Sequence, residues 1–178
     1  LNTVQKNTIR RCPMKQNYSP TFFVTFSHDI LNAYNQMCEP LLQKFGISQV
    51  SFVILMFLRN NPELCTAQQI SMFRNIKKNL VSVHVEKLVK AGYLKRGAVS
   101  GDRRKIALFC TEKAVPITDA GIALQTSFVD QLTADIPQRE LTLYRKLMET
   151  MAEHARSMTA ETSSAKPFPP DRKDDDHR

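Results

Sequence analysis

Phe52 to Leu58 is a run of seven apolar side chains without a polar interruption, and no longer apolar run occurs in the chain. Such a run has no side that water can wet, so the rest of the chain has to enclose it. It is far short of the roughly 18 apolar residues that a membrane-spanning helix needs. A buried strand and a buried helix both fit a short continuous run. Helix is chosen because Ser48 stands where an N-cap belongs and because the segment from Ser48 to about Arg59 has helical length. Asn60-Asn61-Pro62 then reads as a loop. A central helix of this kind needs surrounding layers, and 178 residues with 42% apolar content supply one domain with a sizeable core.

Glycine is scarce, five in the whole chain, and Gly46, Gly92, Gly97, Gly101 and Gly121 fall at or near the ends of periodic segments. Glycine is destabilising inside helices and favoured where the backbone turns, so this distribution predicts a mainly helical protein. It also excludes phosphate-cradling glycine loops, since neither G-x-G-x-x-G nor a Walker-type segment occurs. Ser19-Pro20 predicts the start of a first helix reaching about Phe45, with Phe22, Phe23, Phe26, Ile30, Ala33, Tyr34, Met37, Leu41 and Leu42 on the 3.6-residue repeat. Pro40 should kink or restart it, and Gly46 should end it. Thr66-Ala67-Gln68-Gln69 fits a capping box that opens a short third helix ending near Phe73. After Arg74-Asn75-Ile76, a fourth helix is expected from about Lys77 to Ala91, with Val81, Val85, Leu88 and Val89 inward and Gly92 as its C′ residue.

Tyr93 to Arg96 and Lys105 to Cys110 can pair as a hairpin around Ser100-Gly101-Asp102. Helix, tight turn, basic helix and hairpin together make a winged helix-turn-helix. A fifth helix is expected from Thr118 to about Ala134. A sixth should run from Pro137 to about Met158, with Leu141, Tyr144, Leu147, Met148, Met151 and Ala155 on one stripe. Residues 1–18 read as an N-terminal arm. Residues 159–178, rich in Ser, Pro and Asp, have the composition of a disordered tail. No internal repeat occurs.

The charge is concentrated. Residues 74–113 hold eleven Lys and Arg against three acids (Glu86, Asp102 and Glu112), an excess equal to the entire net charge of +8. A solvated basic face is one reading of such a run. Its coincidence with the helix–hairpin pattern favours a polyanion partner. A membrane partner is not expected, because no basic amphipathic helix with aromatic anchors accompanies the charge. Residues 1–18 lack the apolar stretch of a secretory signal, so the expectation is a cytoplasmic chain.

Cys12, Cys38, Cys65 and Cys110 are separated by 26, 27 and 45 residues, which fits neither a zinc site nor a disulfide framework. Reduced, partly buried thiols are expected, with a redox role open for Cys12 beside Arg10 and Arg11. The four histidines have no metal-ligand spacing, and Met148, Met151 and Met158 read as packing residues. His84 points partly inward by periodicity, as a satisfied core histidine or a pH sensor. No nucleophile–base pair or paired acids emerge, so neither an enzyme nor a cofactor is expected.

Three motifs carry a resemblance to the MarR family of prokaryotic regulators. Asp102-Arg103-Arg104 matches the family's D-x-R at the wing tip. Ile117-Thr118-Asp119-Ala120-Gly121 matches the L-T-x-x-G that follows the wing, and Val81-Ser82 with Leu88-Val89-Lys90-Ala91-Gly92-Tyr93-Leu94 matches the recognition-helix frame. With the helix order, the resemblance covers roughly residues 20–157. The chain departs from the family at Lys77, Val83 and His84 and in the longer stretch Thr111 to Pro116, where the hairpin could extend.

The resemblance implies a single domain over 19–158. Its DNA-binding winged helix would occupy about 47–116, and its dimerisation helices about 19–45 and 118–158. It implies a homodimeric, sequence-specific regulator of transcription, probing a pseudo-palindromic double-stranded operator and acting as a ligand- or stress-responsive repressor. Asn79 and Ser82 are then candidate base readers and Val83 a candidate contact to a thymine methyl. Lys77, Lys78 and Lys87 would hold phosphates, while Thr66, Gln68 and Gln69 could offer amides to another. Arg104 is the candidate minor-groove contact, oriented by Asp102 and flanked by Arg96, Arg103 and Lys105. An ordinary turn ion pair is the alternative for Asp102 and Arg104. Leu124, Phe128, Leu132, Leu147 and Met151 fit the dimer interface. Family members often bind a small aromatic effector, for which Phe26, Tyr34, Phe52 and Phe57 are candidate lining or plain core. The rival reading is a winged-helix protein-interaction module without specific DNA binding.

Overall fold

A computed structural model describes residues 20–99 and 102–160, with side chains over 21–98 and 106–158. The elements run α1 (Pro20–Phe45), α2 (Gln49–Asn60), α3 (Ala67–Arg74), α4 (Lys78–Lys90), β1 (Leu94–Val99), β2 (Asp102–Cys110), α5 (Val115–Thr133) and α6 (Gln138–Ala160). A single 3-10 turn, Glu112–Ala114, precedes α5. The protein is therefore mainly helical with a small antiparallel hairpin, the winged-helix arrangement. The arm with Cys12, the turn residues Ser100 and Gly101, and the chain beyond Ala160 lie outside the described residues.

The apolar run becomes the centre of the molecule. Phe52, Ile54, Leu55 and Phe57 of α2 have no exposed surface, and each contributes about 1.5–3 kcal/mol by leaving water. Cys38 of α1, Ile70 of α3, Val81, Val85 and Leu88 of α4, Leu94 and Leu108 of the hairpin, and Ile117 of α5 close around them. Ser48 caps α2 as expected, its hydroxyl accepting from the Ser51 amide at 3.2 Å. Gly121 lets α5 lie directly on α2, because a Cβ there would run into the thioether of Met56 and the ring of Phe52.

The helix ends follow local chemistry. Gly92 takes φ +78°, its amide reaches Val89 O at 2.9 Å, and the Tyr93 amide reaches Leu88 O at 2.9 Å, which satisfies the last carbonyls of α4. Gly46 ends α1 in the same way at φ +63°. At the end of α3 the left-handed residue is Asn75, φ +50°, and this makes the turn between the two helices of the helix-turn-helix.

Three expectations are corrected. Pro40 lies inside α1 without dividing it. The position is exposed, so the carbonyl one turn earlier can be hydrated instead of hydrogen-bonded. Helix α5 starts at Val115, three residues before Thr118, which is buried within the first turn with its hydroxyl donating to Val115 O at 3.1 Å. Pro116 suits that first turn because the amide it lacks would have no partner there. The stretch Thr111 to Pro116 therefore coils into the 3-10 turn and α5 and does not lengthen the hairpin.

The hairpin itself grows at its tip. Leu94 pairs with Cys110 and Ala98 with Ile106, yet the next pair is Val99 with Asp102. Residues 103–105 consequently bulge from β2 without partners on β1. At the base, Leu108 donates its amide to Cys65 O at 2.7 Å and Thr66 bridges to Ala107, tying the wing to the entry of α3.

Helix α6 is different in kind. It packs extensively on no other element, and Tyr144, Leu147, Met148 and Met151 are exposed along it. The first half of α1 is similar: Phe22, Phe23 and Phe26 are exposed and contact one another at ring-centroid distances of 5.7 and 5.9 Å. No single helix among the described residues is long and apolar enough to cross a membrane.

Candidate nucleic-acid interface

Helix α4 has two unlike sides. Val81, His84, Val85 and Leu88 are buried against α2 and fix its position, while Lys78, Asn79, Leu80, Ser82, Val83, Glu86 and Lys87 face outward. Lys77, at the N-cap, is exposed and makes no side-chain cap. The first-turn amides of α4 and the exposed Lys77, Lys78 and Lys87 thus point positive potential at one surface.

The polar side chains on this face are engaged locally. Asn79 Oδ1 accepts from the Leu80 amide at 2.9 Å, leaving its Nδ2 to donate outward. The Ser82 hydroxyl donates to Lys78 O at 3.0 Å. Arg96, on β1, donates Nη2 to both carboxylate oxygens of Glu86 at 2.9 Å, which joins α4 to the wing. Arg96 is expected from the sequence only as a DNA contact; its guanidinium here acts as a brace. The pairing could not be read in advance because it depends on how β1 packs beside α4.

His84 lies on the buried side of α4, 9% exposed. Its Nδ1 lies 3.0 Å from Ser51 Oγ and 3.2 Å from Ser48 Oγ, at the capped N-terminus of α2. Burial holds its pKa below the ordinary imidazole value, and the Lys87 ammonium adds in the same direction. The ring is therefore neutral at pH 7 and links the two helices through the serine hydroxyls.

At the start of α3 the capping box forms. Thr66 Oγ1 accepts from the Gln69 amide at 3.3 Å, and the Thr66 amide donates to Gln69 Oε1 at 3.0 Å. Gln68 remains exposed at the same end. At the other end of α4, Lys113 Nζ donates to Ala91 O at 2.9 Å and Thr111 Oγ1 to Gly92 O at 2.6 Å. Lys113 is thus one cation of the run that closes a helix instead of facing a partner.

Asp102 is placed opposite Val99 in the hairpin register, with Arg103, Arg104 and Lys105 in the adjoining bulge; their side chains lie outside the described ones. The aromatic candidates are not brought together. Phe52 and Phe57 are wholly buried core residues, Phe26 is exposed, and Tyr34 is half-buried against Phe128 at 5.3 Å with its hydroxyl accepting from Gln125 at 3.1 Å. Leu124 packs on the core from α5, while Leu132, Leu147 and Met151 are exposed.

The model of the MarR family matches residues 45–105, from the end of α1 through the wing tip. No curated protein matches the sequence. Solved structures similar to the chain include a MarR protein from Peptoclostridium difficile, 17% identical, with a TM-score of 0.68 over 83% of this chain and 95% of that one. A MarR transcriptional regulator from Methanosarcina mazei is 20% identical, with a TM-score of 0.65 over 78% and 99%. CouR from Rhodococcus jostii, solved bound to p-coumaroyl-CoA, is 17% identical, with a TM-score of 0.59 over 73% and 88%. These likenesses establish a shared fold that extends from the winged helix into the flanking helices. Matched to the MarR family model from the end of α1 to the wing and in fold over most of its length, the chain has the winged-helix fold of these regulators.

Proposed function

We propose that the protein is a homodimeric, sequence-specific double-stranded DNA-binding regulator of transcription, a cytoplasmic repressor responsive to a ligand or to stress. The observation that carries this reading is the two-sidedness of α4. Its apolar side is locked to the core, and its opposite side presents Lys77, Lys78, Asn79, Ser82, Val83 and Lys87 to solvent. A helix held this way fits the major groove, with the lysines on phosphates and Asn79, Ser82 and Val83 on base edges. Arg104 enters the minor groove from the wing bulge, with Asp102 orienting it and Arg96, Arg103 and Lys105 alongside. Thr66, Gln68 and Gln69 bring the amide-rich start of α3 to a phosphate.

The division into a winged helix over about 47–116 and dimerisation helices over about 19–45 and 118–158 supports two copies on one pseudo-palindromic site. Leu132, Leu147 and Met151 are the exposed part of the interface, and Leu124 and Phe128 support it from within α5. The likeness to CouR, solved with p-coumaroyl-CoA, supports a small aromatic effector. Such a ligand would have to prefer the arrangement of the two recognition helices that cannot seat on DNA.

A gel shift on the DNA upstream of the protein's own coding sequence, at two salt concentrations, tests the reading. If six to ten phosphates are neutralised, affinity should fall about 10³–10⁵-fold between 50 and 200 mM salt. Arg104→Ala should weaken binding at least about tenfold without changing the melting curve. Unchanged affinity in that variant would refute the wing assignment.

A further inference from the structure

Beside Val83, the expected thymine-methyl contact, the outer face of α4 carries a second exposed aliphatic side chain. Leu80 and Val83, one helical turn apart, are 40% and 50% exposed amid its lysines. Valine is a poorer helix former than lysine or glutamate, so propensity does not explain its place at an exposed interior position of α4. Packing does not explain the pair either, since the buried stripe of this helix consists of Val81, His84, Val85 and Leu88.

The donor nearest the pair is fixed by its own backbone bond. Asn79 Oδ1 is engaged by the Leu80 amide, so the Nδ2 donors are what it can present. The one carboxylate on the face, Glu86, has both oxygens held by Arg96 at 2.9 Å. What remains beside the aliphatic carbon is the Asn79 Nδ2 donor flanked by lysine ammoniums, with the Glu86 carboxylate held by Arg96 and the Ser82 hydroxyl, its proton given to Lys78 O, left as an acceptor. Among base edges in the major groove, only thymine presents an acceptor, O4, next to a methyl group. Cytosine and adenine present no methyl for the aliphatic pair to cover, and guanine presents two acceptors that aliphatic carbon would strand.

Resting on the DNA-binding reading above, we propose that Leu80 and Val83 form a methyl-reading pair that specifies thymine in each half-site. Asn79 Nδ2 donates to the adjacent O4, and the lysines hold the flanking phosphates. Sequence preference then comes chiefly from removing the thymine methyl from water.

The test is a selection by the full chain from random-sequence duplexes, followed by resynthesis of the enriched duplex with deoxyuridine at its fixed thymines. Uracil keeps O4 and base pairing and lacks only the methyl. Each methyl lost should weaken binding about fourfold, hence more than tenfold for a two-fold-symmetric site. In the Leu80→Ala/Val83→Ala variant, shown by its melting curve to be folded, the thymine and uracil duplexes should converge in affinity. An enriched motif that binds equally well with uracil, or one with no fixed thymine, overturns the methyl-reading pair and leaves the DNA-binding reading standing. If no duplex is enriched and retention is insensitive to salt, both readings fall together.

Discussion

Helices α2 and α6 are built from similar apolar residues and meet opposite fates. Seven residues of α2 are buried, and its apolar character runs all round the helix. Helix α6 is amphipathic over 23 residues, yet Leu147 and Met151 on its stripe remain 53% and 41% exposed. The first is completed by the chain's own elements. The second is left incomplete by them, in company with the exposed phenylalanines of α1. Soluble monomers rarely leave a continuous apolar surface of this kind uncovered, so on the homodimer reading proposed above the contrast separates what holds one copy together from what a second would complete.

That contrast can be broken at its strong end first. Phe57→Ala should lower unfolding free energy by about 3–5 kcal/mol, since it removes a wholly buried ring from the centre of the core. A loss below about 1 kcal/mol in chemical denaturation would mean that α2 is not the keystone described here. At the other end, Leu147→Glu with Met151→Glu should leave the protomer's helical content unchanged. Self-association should weaken at least about a hundredfold, about 2.7 kcal/mol, read as a halved mass in light scattering. A mass that stays at the dimer value would remove α6 from the interface.

Smaller effects sharpen the boundary between core and interface. His84 is neutral in the fold, with its pKa below the ordinary value of 6.5 because of burial and then Lys87. The unfolded chain therefore binds more protons near that pH. The stability His84 contributes is present above about pH 6.5 and is lost as pH falls toward the lower folded value. Urea midpoints measured from pH 7.5 to 5.5 should decline on acidification, and His84→Asn should flatten that decline. A wild-type midpoint that rose on acidification would contradict the assignment. The smallest change is expected for Glu86→Gln. The pair with Arg96 is exposed, so its stability cost should stay below about 1 kcal/mol. Amide exchange in β1 and the end of α4 should nevertheless quicken as the brace between wing and helix loosens.

Much of the fold was legible because its signals are local. Ser48 caps α2, Thr66 and Gln69 close a capping box, and Gly46 and Gly92 take left-handed conformations at helix ends. In each case the bonding partners lie within five residues. Thr118 misled for a related reason: it stands ahead of an apolar segment, but the 3-10 turn and Pro116 had already begun the helix. In the candidate site, the outward lysines of α4 followed from periodicity. Leu80 did not stand out, because an apolar residue next to the core stripe reads as core until neighbouring helices define where the core ends.

Sequence alone determined which segments are helices, where most of them stop, and that one of them lies at the centre. Those outcomes depend on periodicity and on hydrogen bonds made within a turn. Tertiary structure decided that His84 meets two serines from another helix, that Arg96 grips Glu86, and that the wing bulges by three residues. It also left α6 bare. Contacts between residues distant in sequence depend on how elements pack, and exposure depends on which surfaces the packing fails to cover; neither is a property of a short stretch of chain.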